Sequence, residues 1–383
     1  QENTLASVRG QAAAGHDVTL ITGPSEGPEG CLLDHIPDLS PPYPFRVLEF
    51  PALVRPLSPF RDLAAYRALS RHFAGEAYDI IHTHSSKAGV LGRLAARRAR
   101  RRGTRVVHTI HGLAFDRLQP RHLNAAYVLA ERVCARRTDA LVSVCDAMTT
   151  QALAAGIGRP AQYTTIYSGC DLPAFRSARA HRADMRARIG ADNATCVILA
   201  VSRLFPMKGV EDVVEAIAAA GARTPSPVTG VIIGDGPLRE ELVSRAAGLS
   251  GNTRTVFTGR VEPGDIPRWL GAADIVLHGS LREGLARVVV QGIAAGVPVI
   301  CYDAGGARDV VRDGENGYVC ELGDRELFVE RTAALAADGA ARDRMGAAAR
   351  ATPMDPFSRE RMIADLDALY RREISRNRAA DDA

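Results

Sequence analysis

Strand-like, β-branched runs alternate with helical segments along the whole chain, and a charged stretch divides them into two series. Alternation of this kind demands parallel strands, because each strand must be reached by a crossover that a helix supplies. The first series places strands at 17–23, 45–53, 79–85, 105–112, 139–146 and 163–169, with helices at 60–73, 87–101 and 123–136 among them. The stretch 171–193 is rich in Ala and Arg and reads as the connection between domains. A second series follows, with strands at 196–204, 228–236, 253–261, 274–280, 297–306 and 317–322, and helices at 209–222, 237–248, 266–273, 285–295 and 325–336. Two series imply two Rossmann-like α/β domains with parallel sheets facing across a cleft. Ligands of such sheets bind beyond the carboxyl ends of the strands. The expected boundaries are 1–170, 171–356, and a last helical stretch over 357–383. In that stretch Met362, Ile363, Leu366, Leu369 and Tyr370 recur at helical spacing and should pack on something.

A length of 383 residues favours two domains over one, and 46% apolar residues suffice for two cores. A net charge of +4 on such a length does not imply nucleic acid. The seven cysteines are scattered, and no C-x-x-C pair occurs, so neither a zinc site nor a disulfide framework is suggested. A reducing, cytoplasmic setting follows as the expectation. No apolar run approaches the ~20 residues of a membrane span. Residues 1–14 already read as a helix, whereas an α/β domain normally opens with a strand, so an opening strand is expected to precede Gln1. Residues 23–44, rich in Gly, Pro and acid, read as a surface loop.

The most informative stretch runs from 280 to 306, SLREGLARVVVQGIAAGVPVICYDAGG. It reads as a strand end, an Glu-Gly turn, an apolar helix opening at Gly284 and Leu285, a second strand and a Gly-Gly turn. Free amides at a helix N-terminus bind phosphate. Glu283 beside them repels phosphate but can accept hydrogen bonds from sugar hydroxyls; the plainer alternative is an acid favoured by the helix dipole. Gln291 lies two helical turns on, polar within an apolar helix, and can bond a ribose diol as donor or acceptor.

SRLFPMKG (202–209) sits between a strand and a helix. Arg203 and Lys208 in that loop can clamp a diphosphate, or form an ordinary solvated basic loop. GDGP (234–237) is another strand-to-helix turn. Gly234, Asp235 and Gly236 read first as a structural turn and second as a place where backbone approaches a ligand closely, with Pro237 in the first helical turn.

In the first series, DIIHTHSSKAG (79–89) and RVVHTIHGLAF (105–115) bring His82, His84, His108 and His111 to strand ends. No carboxylate or thiol completes a metal set, so no metal is expected. His111 is the most terminal and best faces a cleft; His82 and His108 read as core or supporting residues. Asp146 and Asp171 read as an N-cap and a loop acid. The run RLAARRARRR (93–102) carries six arginines. It reads as a solvated helix end, with contact to anionic lipid head groups as the sharper alternative.

Taken together, SRLFPMKG, GDGP, FTGRV, LREGL…Q, DAGG and VRDGENGYV resemble the retaining family 4 glycosyltransferases of the GT-B fold, of the bacterial polysaccharide and glycoconjugate type. DIIHTHSSKAG, HTIHG and IYSGCD match that family's N-terminal domain, so the resemblance spans nearly the whole chain. It implies a nucleotide-diphosphate sugar as donor, a glycan or lipid-linked acceptor, no cofactor beyond the donor, no metal and no nucleic acid. It further implies Arg203 and Lys208 at the diphosphate, Glu283 on a donor sugar hydroxyl, and the Gly284 and Leu285 amides near phosphate. Arg260 or Val261 would lie beside the nucleobase, His111 near the donor sugar, and the final helix would cross back to the N-terminal domain.

The sequence departs from the family pattern in two places. Gln291 stands where a second Glu often grips the ribose, and the family's opening strand and Gly-Gly loop would precede Gln1. No side chain presents itself as a nucleophile. The implied route is a front-side transfer from a UDP- or GDP-sugar with retention, Arg203, Lys208 and helix-end amides stabilising the leaving diphosphate. A sugar-nucleotide 2-epimerase of the same architecture and a non-catalytic sugar-nucleotide binder are the alternatives.

Overall fold

A computed structural model of the chain describes residues 2–24, 45–116, 119–248 and 252–381. The expected surface loop at 23–44 therefore lies almost wholly outside the described residues. The chain divides into two units, one formed by Gln1–Gly169 with Arg359–Ala383, the other by Cys170–Ser358.

Unit 1 contains β1 (Val18–Thr22), β2 (Phe45–Glu49), β3 (Ile80–His84), β4 (Arg105–Ile110), β5 (Ala140–Ser143) and β6 (Tyr163–Thr165). Every pairing is parallel, but the strands form two groups, β1-β2 and β3-β4-β5-β6. The single first sheet read from the sequence is thus divided. Apolar packing joins what hydrogen bonding does not: Ile21 of β1 and Phe50 share one cluster with Ile81 of β3 and Val106 of β4, together with Leu69 and Phe73 of the Pro59–Gly75 helix. The last helix, Arg359–Asp381, buries Met362, Leu366 and Leu369 against Val107, Ala140 and Val142. Each such side chain contributes about 1.5–3 kcal/mol. The Gln11 amide donates to the Ile363 carbonyl at 3.2 Å, and His16 pairs with Asp367 at 2.6 Å, fixing that helix beside Glu2–Ala13. The helix expected over 87–101 is two, Ser86–Ala95 and Arg97–Arg100, because the chain turns at the fully buried Ala96 (ψ −4°).

Unit 2 holds β7 (Cys196–Val201), β8 (Val228–Ile233), β9 (Thr253–Gly259), β10 (Ile275–His278), β11 (Val299–Tyr302) and β12 (Gly317–Cys320). They form one parallel sheet in the order β12-β11-β10-β7-β8-β9. Helices cover both faces, so β8, β10 and β11 are buried at every position, and their sequences are near-continuous apolar runs. The chain winds outward from β7 through β8 to β9, then returns to place β10 on the other side of β7. The strand order reverses between β7 and β10, and that crevice is where such sheets bind ligands.

Three expectations for unit 2 are refined. The stretch 171–193, read as the connection between domains, is built into unit 2. It forms the segments Leu172–Arg176, Ala178–His181 and Arg182–Arg188. Its arginines grip the end of the helix Ile266–Ala272: Arg186, 3% exposed, donates to the Ala272 carbonyl at 3.0 Å and to Asp274 at 3.1 Å, and Arg182 donates to Asp274 at 2.6 Å. Cations there satisfy carbonyls that the helix leaves unpaired. The helix after GDGP begins at Arg239, not at 237, because the Leu238 amide donates to the Leu204 carbonyl. The helix after Glu283 is Arg287–Ala294, so Gly284 and Leu285 lie in the turn before it rather than in its first turn. That turn is tied elsewhere: the Gly306 amide donates to the Gly284 carbonyl at 2.7 Å.

Candidate active site

Three loops at the carboxyl edge of the unit 2 sheet are knitted together by backbone contacts. The 202–209 loop after β7 lies between the 234–238 loop after β8 and the 279–286 loop after β10. On one side the Leu204 amide donates to the Asp235 carbonyl at 2.9 Å. Gly234 (φ +137°) passes so close to Ser202 that a Cβ would lie 1.8 Å from its carbonyl oxygen. On the other side the Leu281 amide donates to the Met207 carbonyl at 2.9 Å. There Gly209 (φ +57°) faces Gly279, and a Cβ on Gly209 would fall 1.9 Å from the Gly279 oxygen. Only glycine meets both the dihedral and the distance.

This packing brings Lys208 and Glu283 together. Lys208 Nζ donates to Glu283 Oε1 at 2.7 Å, with both side chains about one-fifth exposed. His278, at the end of β10 and 8% exposed, places Nε2 at 3.3 Å from the same oxygen, near enough for ion pairing though not aligned as a hydrogen bond. Burial works against ionisation of Glu283, but the contacts to His278 and Lys208 overcome it and hold the carboxyl at about 2. The result is a fixed carboxylate acceptor next to an ammonium with two further donors, at the crevice where the strand order reverses. The sequence did not single out His278; a histidine at a strand end five residues before Glu283 was the signal available.

The remaining unit 2 residues are placed less tightly. Arg203 is exposed, and its guanidinium lies 5.4 Å from the Phe205 ring centroid. Asp235 is exposed, and its carboxylate accepts from the Gly236 amide at 2.9 Å. Arg260 and Val261 follow the end of β9, where the Gly259 carbonyl accepts from the Gly234 amide at 2.9 Å. Gln291 is 8% exposed on the Arg287–Ala294 helix.

In unit 1, a cavity of about 260 Å³ opens at the carboxyl ends of β3 and β4. Ser85, Ser86, Thr109, His111, Phe115 and Glu131 are among its walls. Glu131 is held by Arg93, wholly buried, through bonds of 3.0 and 2.9 Å to its two carboxylate oxygens. His111 Nε2 is 3.0 Å from His84 Nδ1, and the two rings stack with centroids 5.3 Å apart. His82 binds Tyr370 Oη at 2.5 Å and Thr109 Oγ1 at 2.7 Å, and His108 binds Thr83 Oγ1 at 2.9 Å. Burial lowers all four histidines, His111 to about 4 and His82 to about 3. They stand neutral, partnered by hydroxyls and one another. Among the described residues no group of three or more His, Cys, Asp or Glu is arranged to hold a metal ion.

Comparison with known proteins decides the family. Residues 2–169 match the family described as "Glycosyl transferase 4-like domain", and residues 181–352 match "Glycosyl transferases group 1". The putative glycosyltransferase EpsD of Bacillus subtilis (strain 168) is 30% identical over 332 residues, spanning 86% of this chain and 85% of that protein. The chain belongs to the family 4-type glycosyltransferases of the GT-B fold. The UDP-Gal:alpha-D-GlcNAc-diphosphoundecaprenol alpha-1,3-galactosyltransferase of Escherichia coli is also 30% identical, over 82% of this glycosyltransferase and 78% of the relative. The crystal structure of Anabaena HepE in complex with UDP and glucose superposes with a TM-score of 0.75 at 23% identity, over 95% of this chain and 94% of that one. Sucrose-phosphate synthase of Thermosynechococcus elongatus superposes with a TM-score of 0.74 at 20% identity, over 96% and 92%. Those two likenesses speak to the fold alone.

Proposed function

We propose that this glycosyltransferase moves a hexose from a UDP- or GDP-sugar to a glycan or lipid-linked acceptor, with retention of anomeric configuration. The observation that carries the donor half is the Lys208–Glu283 pair, 2.7 Å apart at the crevice where the strand order reverses. Breaking the sugar–phosphate bond leaves charge on the nucleotide diphosphate. Lys208 retains two N–H donors for it, Arg203 adds a guanidinium from the same loop, and the turn at Gly284 and Leu285 adds backbone amides. Glu283 accepts from hydroxyls of the donor sugar, a role that needs it ionised. Gln291 takes the ribose as donor or acceptor, and Gly234, Asp235 and Gly236 line the nucleotide with backbone. Arg260 or Val261 is assigned to the base, and His111, a neutral donor or acceptor, to the donor sugar.

The E. coli relative is named for a UDP-sugar donor and a lipid-diphosphate acceptor, and HepE was crystallised with UDP-glucose as well as with UDP and glucose. The E. coli relative supports a UDP-sugar donor and a lipid-linked acceptor, and the HepE ligands agree with the donor. None of these relatives or neighbours is an epimerase or a non-catalytic binder, so neither alternative is favoured.

The test is transfer kinetics on Lys208→Ala and Arg203→Ala, with folding checked by circular dichroism. Loss of a donor to the developing oxyanion should lower kcat by about 10²–10³ for Lys208→Ala. Wild-type rates in both variants would refute the assignment. Proton NMR of the product reads the anomeric outcome, and an inverted linkage would remove the retaining route.

A further inference from the structure

The Pro59–Gly75 helix of unit 1 has two faces of different character. Ala65, Leu69 and Phe73 are buried on the inner face. Phe60, Leu63, Ala64, Arg67 and Arg71 follow one another at helical spacing on the outer face, and all are exposed. Phe60 is 89% exposed, Leu63 is 45%, and Leu57, just before the helix, is 76%. Large apolar side chains gathered at one helix end and left in water mark an interaction surface.

The charges around this apolar tip that lack an ion-pair partner are all positive. Arg55, Arg61, Arg67 and Arg71 are exposed, and among the described residues none of them forms an ion pair. The one acid of the helix, Asp62, is already engaged by Lys87 and by the Ser58 amide at 3.1 Å. The arginine run that the sequence offered as a lipid contact is partly occupied instead. Arg100 is bound to Asp139 at 2.8 Å, and Arg102 donates to the carbonyls of Phe73, Ala74 and Glu76, closing the far end of this same helix.

We propose that the outer face of the Pro59–Gly75 helix, with Leu57, docks into the interfacial layer of an anionic lipid bilayer. Leu57, Phe60 and Leu63 enter the acyl boundary, while the arginine stems lie along the surface and their guanidinium groups pair with head-group phosphates. An apolar tip fringed by cations without countercharges is complementary to such a surface. A neutral protein groove would leave four arginines unmatched. The inference stands on unit 1 alone and does not depend on the donor or acceptor reading.

Sedimentation with sucrose-loaded vesicles tests it, using phosphatidylglycerol–phosphatidylcholine mixtures and phosphatidylcholine alone. The full chain should sediment with the anionic vesicles at low salt and lose at least tenfold in partitioning on pure phosphatidylcholine. Leu57→Ser with Phe60→Ser, and separately Arg61→Glu with Arg67→Glu, should each lower the anionic partitioning at least tenfold with unchanged melting temperature. Leu129→Ser, at a 62% exposed position on the Arg121–Ala135 helix, should leave it unchanged. In Phe60→Trp, the indole emission should shift to the blue on anionic vesicles. No partitioning of the wild type, equal binding to neutral vesicles, or wild-type binding by both double variants would overturn the proposal. So would lipid-free self-association that the Leu57→Ser/Phe60→Ser change abolishes, since the face would then be meeting a second copy of the chain.

Discussion

Gly209→Ala is the sharpest perturbation of the unit 2 site, because it adds one methyl group and touches neither charge. Two costs arise. The left-handed backbone at φ +57° costs an alanine about 1–2 kcal/mol. The new Cβ also lies 1.9 Å from the Gly279 carbonyl oxygen, so the two loops must part by about 1.5 Å to reach an ordinary contact of 3.4 Å. Those loops carry Lys208 and Glu283, now 2.7 Å apart, and the same retreat takes them past ion-pair distance. Misplacement of about 1 Å can cost 10²-fold in rate. Transfer by Gly209→Ala should therefore fall by about 10², with a melting-temperature loss beyond what strain alone gives. Gly314→Ala is the control, since its φ of +77° imposes similar strain while nothing lies within 4 Å of the added carbon. That variant should lose about 2–8 °C and keep its rate. Initial rates at saturating donor, with calorimetric melting of all three proteins, decide the matter. Wild-type kcat in Gly209→Ala, or an equal rate loss in Gly314→Ala, would show that the loop contact does not set the catalytic geometry.

Two further outcomes are expected in unit 1. His111 and His82 are held by burial at about 4 and about 3, below the ordinary 6.5, so the unfolded chain takes up protons that the folded chain refuses as pH falls below 6.5. Stability should therefore decline from pH 6.5 toward 4 by up to about 1.4 kcal/mol per pH unit for each such histidine; the slope of urea midpoints against pH should flatten in His111→Gln, and identical slopes would contradict the sign. Arg93→Met strands the Glu131 carboxylate and should cost about 3–5 kcal/mol in denaturant unfolding, whereas Arg93→Met with Glu131→Leu should recover most of that.

Much of this architecture could be read from the chain, and the reasons for success and failure differ by residue. Strands such as CVILAV and VTGVII announce themselves because a sheet covered on both faces leaves no polar alternation. Lys208 and Glu283 were legible as strand-to-loop residues, and the reversal of strand order explains why loops 75 residues apart meet. The helix starts after GDGP and after Glu283 were each read two residues early, since the Leu238 amide and the Gly284 carbonyl are drawn into contacts between loops that no local propensity encodes. The 171–193 stretch read only as an Ala- and Arg-rich connection between domains. Arg179, Arg182 and Arg186 spend their guanidinium groups on helix-end carbonyls, a use that composition cannot distinguish from solvation.

Because Gly209 and Gly279 each occupy the space where the other's side chain would grow, neither position can drift by itself. Random libraries aimed at new donor preference should come back with both codons unchanged. Diversity will accumulate instead at neighbours whose side chains point outward, such as Phe205 and Met207, each 37% exposed. Any retuning of this enzyme must be written in those side chains, on a main chain that does not negotiate.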